Sequence, residues 1–217
     1  MEKTRKKLLE AIIFLLLPVT ALAQSKSGLE SYNQLGDQAG YLWVPVIHYQ
    51  HQKGFYSEFR YNYEDLNTGS VFLGKTFSID RPYTDYQFTP LIGFSAGNFS
   101  GISVALNAEL EGKKLYLSSQ MQYSFSLQKE VPGFYFNWSE AGYSVNDWFI
   151  LGPAFQYTLQ KGAQEFQPGF FMSASAGNFS IPLYVLYAGG GDPLVILGLN
   201  YEFSIRKKRP SKGLSLP

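Results

Sequence analysis

The chain contains no cysteine. Disulfides and thiolate metal sites are therefore excluded. Histidine is almost absent as well, with two residues in 217. Both lie in "HYQH", as His48 and His51. Three residues is an odd step, so on a strand they point to opposite faces and no two-histidine metal site is expected. After residue 23 there is no apolar run long enough for a membrane helix, and no stretch with a 3.6-residue period. Charge is scarce and nearly balanced, at 16% of residues and a formal net of +1. An exported chain of that charge is not expected to bind nucleic acid. No motif implies a cofactor.

Aromatic residues are abundant. There are 16 Tyr and 18 Phe, yet the mean hydropathy is only −0.12. That combination, together with strand-like patterning, suggests a secreted β protein or a membrane barrel.

The first residues favour export. Lys3, Arg5, Lys6 and Lys7 precede a short apolar run, Ala11 to Val19, and Ala21-Leu22-Ala23 offers a small-x-small cleavage site. Residues 1–23 are expected to be a signal peptide, with the mature chain starting at Gln24. Cleavage removes four basic and two acidic residues from totals of 18 and 17, leaving 14 and 15. Five of those basics, Arg206, Lys207, Lys208, Arg209 and Lys212, lie in a C-terminal tail over 206–217. The body between is mildly acidic. The tail is expected to be a solvated end, or to meet anionic head groups or a periplasmic partner.

From residue 41 to 205 the chain reads as strands of about ten residues between turn clusters. Over 102–111, Ile102, Val104, Leu106, Ala108 and Leu110 oppose Ser103, Ala105, Asn107, Glu109 and Glu111. Over 115–127, Leu115, Leu117, Met121, Tyr123, Phe125 and Leu127 oppose Tyr116, Ser118, Gln120, Gln122, Ser124 and Ser126. Over 54–64, Phe55, Phe59, Tyr61 and Tyr63 form one face, and Tyr56, Glu58, Arg60, Asn62 and Glu64 the other. Strict alternation buries one face and wets the other. A soluble sandwich would turn the apolar face inward. A membrane barrel turns it outward, toward lipid. The polar faces are rich in Ser, Gln and Asn rather than the Lys and Glu of a soluble surface, which favours the barrel.

The last strand adds a motif. "GLNYEF" spaces Gly198, Tyr201 and Phe203 as glycine, two residues, aromatic, any residue, aromatic. This resembles the C-terminal assembly signal of Gram-negative outer-membrane barrels. Ile196 stands where that family usually carries a polar residue. The resemblance implies an antiparallel up-and-down transmembrane β-barrel in the outer membrane. It implies membrane lipid and the barrel-assembly machinery as partners. The expected function is a small passive channel or porin-like uptake barrel for small solutes. A closed barrel acting through its loops or tail is the alternative. A lipid-modifying hydrolase is a lesser one, because no nucleophile motif accompanies His48; no enzyme is expected.

The residues expected to line the lumen are Glu58, Arg60, Asn62, Asn107, Glu109, Gln120, Gln122, Asn200 and Glu202, with Glu64 and Asn137 beside them. Their acid excess favours cations or hydrogen-bonding solutes if the lumen is open.

The strand count hinges on a repeat. "SAGNFS" occurs at 95–100 and again at 175–180, and other matches recur at an offset near 80, such as "GFY" at 54–56 and 133–135. One such unit spans five strands, an odd number, so the second copy must run the opposite way in an antiparallel barrel. At the second copy the apolar face switches from even to odd numbers, as a two-residue Gly177-Asn178 hairpin requires. At the first copy it stays even, which fits an odd-length turn or no turn. If both copies turn, eleven strands follow residue 41, and a twelfth can be drawn from 27–36 in the N-terminal segment 24–40. If the first runs straight through, the count is ten. Twelve strands are favoured, because an even number returns both ends to one side.

Overall fold

The alternation closes into a single wall in the computed structural model, which describes residues 25–36, 40–187 and 192–204. The expected leader and basic tail lie outside the described residues. In chain order the strands are β1 (Lys26–Gly36), β2 (Gly40–Gln50), β3 (Phe55–Tyr61), β4 (Gly69–Lys75), β5 (Phe77–Asp80), β6 (Thr84–Ala96) and β7 (Gly101–Gly112). They continue as β8 (Leu115–Ser126), β9 (Phe134–Asn146), β10 (Phe149–Gln160), β11 (Ala163–Ala176), β12 (Phe179–Leu186) and β13 (Leu194–Ser204). Every neighbour pair is antiparallel, β1 pairs with β13, and β4 pairs with β6. Apart from the short β5, the sheet therefore closes on itself as a barrel.

Thirteen segments make twelve spans, because β4 and β5 are one span interrupted at Thr76. Lys75, which breaks the apolar pattern, pairs with Phe55 at the start of β3, and its Nζ lies 5.3 Å from the centroid of Phe77. Beyond it β5 pairs with β6 alone.

Lys26 pairs with Ser204, so β1 begins and β13 ends at one rim, here called proximal. The turns 51–54, 81–83, 113–114, 147–148 and 177–178 cross that rim. The turns 62–68, 97–100, 127–133 and 161–162 cross the distal rim.

The two SAGNFS copies thus sit at opposite ends and have different structures. In the second, Ala176 pairs with Phe179 across two residues, with Gly177 at φ 63°. That is the first central position, which a type II′ hairpin gives to glycine. In the first, Ser95 pairs with Gly101 across five residues, the odd-length turn that preserves facing. Phe99 is 2% exposed and tucked into the distal mouth, whereas Phe179 is 50% exposed on the outer face. Gly97, at φ 146°, has no room for a side chain: a Cβ would stand 2.1 Å from the Asn67 carbonyl oxygen.

The outer face carries the apolar half of each strand. Ile47, Val71, Leu73, Ile92, Phe94, Ile102, Val104, Leu197 and Leu199 are all exposed there. A polar knot interrupts this belt. Asn137 donates to Ser119 Oγ at 3.1 Å, Ser139 donates to Asn137 Oδ1 at 3.0 Å, and the two serine hydroxyls meet at 2.8 Å. The sequence reading placed Asn137 in the lumen, and the structure corrects it. Asn137 pairs with the outward Met121 and Tyr157, and its low exposure comes from those neighbours and from its own hydrogen bonds.

The segment 54–64 also needs correction. Extended chain stops at Tyr61. Asn62 and Asn67 adopt φ values of 57° and 51°, a left-handed conformation asparagine tolerates better than most residues. Asn67 N–H donates to Asn62 Oδ1 at 2.8 Å, and Asn62 N–H to the Thr68 carbonyl at 2.9 Å. The turn so closed carries Tyr63 into the lumen rather than onto the outer face.

Candidate functional site: the lumen

Two cavities lie within the barrel among the described residues. The larger, about 780 Å³, reaches from Lys26, Glu111 and Glu202 at the proximal end to Asn62 and Tyr63. The smaller, about 290 Å³, lies distally among Tyr63, Asp65, Phe99, Val131, Phe134 and Gln160. Tyr63 and Phe136 line both.

One wall of the larger cavity, on β1 to β3, is ionic. Alternation points Glu30 and Tyr32 of β1, His48 of β2, and Tyr56, Glu58 and Arg60 of β3 inward. His48 Nδ1 lies 3.1 Å from Glu30 Oε1, and Tyr32 donates to the other carboxylate oxygen at 2.7 Å. Gly28 lets the imidazole lie flat over β1. Tyr56 donates to Glu58 Oε2 at 2.5 Å, and Arg60 Nε donates to Glu58 Oε1. Arg60 also donates to Gln122 at 3.0 Å and stands 3.6 Å from Glu64. Glu64 in turn accepts from the Ser70 hydroxyl. Its side chain is fully buried, because the 62–68 turn lays it against Arg60.

The other wall is aromatic. Phe171, Tyr184, Leu186, Ile196 and Ala154 form a buried cluster, against which Tyr32, Tyr116, Trp138 and Ile150 pack. Trp138 meets Tyr184 edge-on at 4.8 Å between centroids. Trp138 Nε1 and the Tyr184 hydroxyl both donate to Glu140 Oε1, at 2.5 and 2.9 Å. Ile196, the apolar departure from the assembly motif, is 1% exposed in this cluster. Sequence reasoning missed the wall because alternation says only that a face points inward. The expected lining is polar, and Trp138, Phe171 and Tyr184 are not among its residues.

The expected lining residues fall as follows. Glu58, Arg60, Asn62, Asn107, Glu109, Gln120, Asn200 and Glu202 line the larger cavity, and Gln122 the smaller. Asn62 sits at the distal rim, where its amide donates to the Trp43 carbonyl at 3.0 Å. Asn107 and Asn200, on opposite walls, have buried Oδ1 atoms without a donor among the described residues. Of the motif residues, Gly198 faces inward, where a Cβ would stand 2.6 Å from Pro182 Cγ. Tyr201 and Phe203 face outward, ring centroids 4.4 Å apart.

Charge is distributed unevenly. Glu30, Glu58, Glu109, Glu111, Glu140 and Glu202 line the larger cavity against Lys26 and Arg60. Arg60 answers Glu58 and Glu64, and His48 meets Glu30. Glu109, Glu111, Glu140 and Glu202 have no ion-pair partner among the described residues. His48 has no serine hydroxyl bonded to it there, and the described residues hold no cluster of three metal-ligating side chains.

A closed wall of twelve spans, apolar outside and polar or aromatic within, defines a transmembrane β-barrel. No family model and no curated protein matches the chain. Solved structures do. A KdgM porin in complex with disordered oligogalacturonate superposes with TM-score 0.63 at 13% identity, covering 81% of this chain and 99% of that one. A NanC porin gives TM-score 0.53 at 10% identity, covering 82% and 99%. At such identities the likeness establishes the fold alone, a closed antiparallel β-barrel.

Proposed function

We propose that this protein is an outer-membrane channel. It passes small polar solutes passively and favours cations and uncharged hydrogen-bonding solutes over anions. The observation that carries this reading is the larger cavity, which among the described residues is lined by six glutamates against one lysine and one arginine. Fixed charges of one sign in a narrow low-dielectric passage raise the local concentration of the opposite ion. The KdgM likeness supports a porin-type barrel, but oligogalacturonate is a polyanion, and an acid-rich lumen would repel it. A different cargo is therefore expected here.

Membrane lipid would contact the apolar belt. The barrel-assembly machinery would engage β13 through Tyr201 and Phe203, whose rings face outward.

Planar-bilayer recording tests the reading. In a KCl gradient the purified protein should give unitary current steps with a reversal potential of the sign set by K⁺. Glu109→Gln with Glu202→Gln should move that potential toward zero. Folded protein that gives no steps at any voltage would refute a channel.

A further inference from the structure

A chain of side chains crosses the distal half of the lumen. It begins at Gly93 of β6, where the missing side chain makes room: a Cβ there would stand 2.3 Å from Phe72 Cε1. The Phe72 ring fills that space and is fully buried. The Arg60 guanidinium carbon lies 4.4 Å from the centroid of Phe72 and 4.4 Å from that of Tyr63, so the planar cation is held between two rings. Tyr63 then meets Phe136 of β9 edge-on, with centroids 5.7 Å apart. β3 and β9 are five spans apart in a wall of twelve, so the stack reaches nearly from one side to the other.

The Tyr63 ring is also anchored. Its hydroxyl lies 3.1 Å from Gln120 Oε1 on β8. The turn that bears it is held in by Glu64, which meets Arg60 and Ser70. The 62–68 turn is also bonded to the neighbouring distal turn, where Phe99 N–H donates to Thr68 Oγ1 at 3.1 Å. Among the described residues, Tyr63 and Phe136 are the two common to both cavities.

We propose that Tyr63 is the size-selecting residue of the lumen. Its ring closes with Phe136 the passage between the distal and main cavities. The 62–68 turn is folded inward to hold it there. This rests on the channel reading, and it adds where that channel discriminates. A solute entering from the distal side meets an aromatic aperture backed by one buried cation, and only then the acidic chamber. The aperture passes narrow solutes and holds back branched or bulky ones.

The absence of native cysteine makes the test direct. Tyr63→Ala should raise the unitary conductance and abolish the discrimination between a pentose and a trisaccharide in liposome swelling. Tyr63→Cys, the only thiol in the chain, should lose most of its current on reaction with a cationic methanethiosulfonate and regain it on reduction. Folding of each variant is checked by heat-modifiable gel mobility. If the wild type conducts and Tyr63→Ala conducts identically with the same solute cut-off, the inference is overturned while the channel stands. Complete labelling of Tyr63→Cys, verified by mass, without loss of current overturns it equally. A silent wild type beside a conducting Tyr63→Ala supports the constriction and refutes a constitutively open channel. Two folded but silent proteins refute both.

Discussion

The His48 imidazole occupies the space that a side chain at Gly28 would take. A Cβ on residue 28 would stand 2.2 Å from His48 Cε1 and 2.4 Å from Nε2. The glycine on β1 is thus what allows a ring from β2 to lie across the neighbouring strand and reach Glu30, 3.1 Å from Nδ1. Gly28→Ala must push the ring away and break that contact. Forcing an extra carbon into a packed site costs about 1–3 kcal/mol. The ring can swing, so the low end is expected. The urea midpoint of the refolded barrel should fall accordingly. In a Gly28→Ala/His48→Ala background most of that loss should vanish, because the clash is gone. Additive losses would show that the two residues do not share the space.

Among the described residues, Arg60 is the one cation in contact with two buried carboxylates. It is 3% exposed and Glu58 is 7% exposed, so neither can turn to water when its partner is lost. Removing one member of a buried pair costs about 3–5 kcal/mol. Arg60→Ala should fall in that range by denaturant unfolding in detergent. Arg60→Lys should fall between it and wild type. Lysine keeps the charge but cannot present the fork to Glu58 and Gln122 or lie flat between the Phe72 and Tyr63 rings. Equal stabilities for the lysine variant and the wild type would show that charge alone matters there.

The repeated hexapeptide gives a comparison in which sequence context is constant. Gly177 has open space around its Cβ position, so Gly177→Ala incurs only the left-handed backbone cost, about 1–2 kcal/mol. Gly97→Ala incurs a backbone cost and a collision with the Asn67 carbonyl 2.1 Å away. The turn must move, and with it the bond from Phe99 to Thr68. Gly97→Ala should therefore lower the unfolding midpoint more than Gly177→Ala does. Matching midpoints would mean that the two turns are equivalent after all.

Much of this architecture could be read directly from the chain. Alternation assigned inward and outward faces correctly along β6, β7, β8, β12 and β13, because a closed sheet turns each strand's period into inside and outside. Parity also anticipated that the two SAGNFS copies differ, since the number of residues in a turn decides whether facing is kept or switched. Reading failed where the chain leaves the strand. Tyr63 continues the apolar alternation of β3 on paper. Asn62, in the left-handed conformation, ends the strand before it, and alternation has no meaning past that point. Asn137 misled in another way: its polarity suggested the lumen, but partners on two adjacent strands satisfy it on the outer face.

The sequence by itself determined the class, a β-barrel with an apolar outer belt, and favoured twelve spans. Those properties follow from local period, turn length and the need to return to one rim. Only the tertiary structure decided what fills the inside. Arg60 lies between Phe72 and Tyr63, Glu140 receives Trp138 and Tyr184, and Tyr63 reaches Phe136. Most of these contacts join residues from separate segments of the chain, and their closeness depends on barrel stagger and on which neighbour lacks a side chain. No local pattern encodes that, because the lumen is where all twelve spans meet at once.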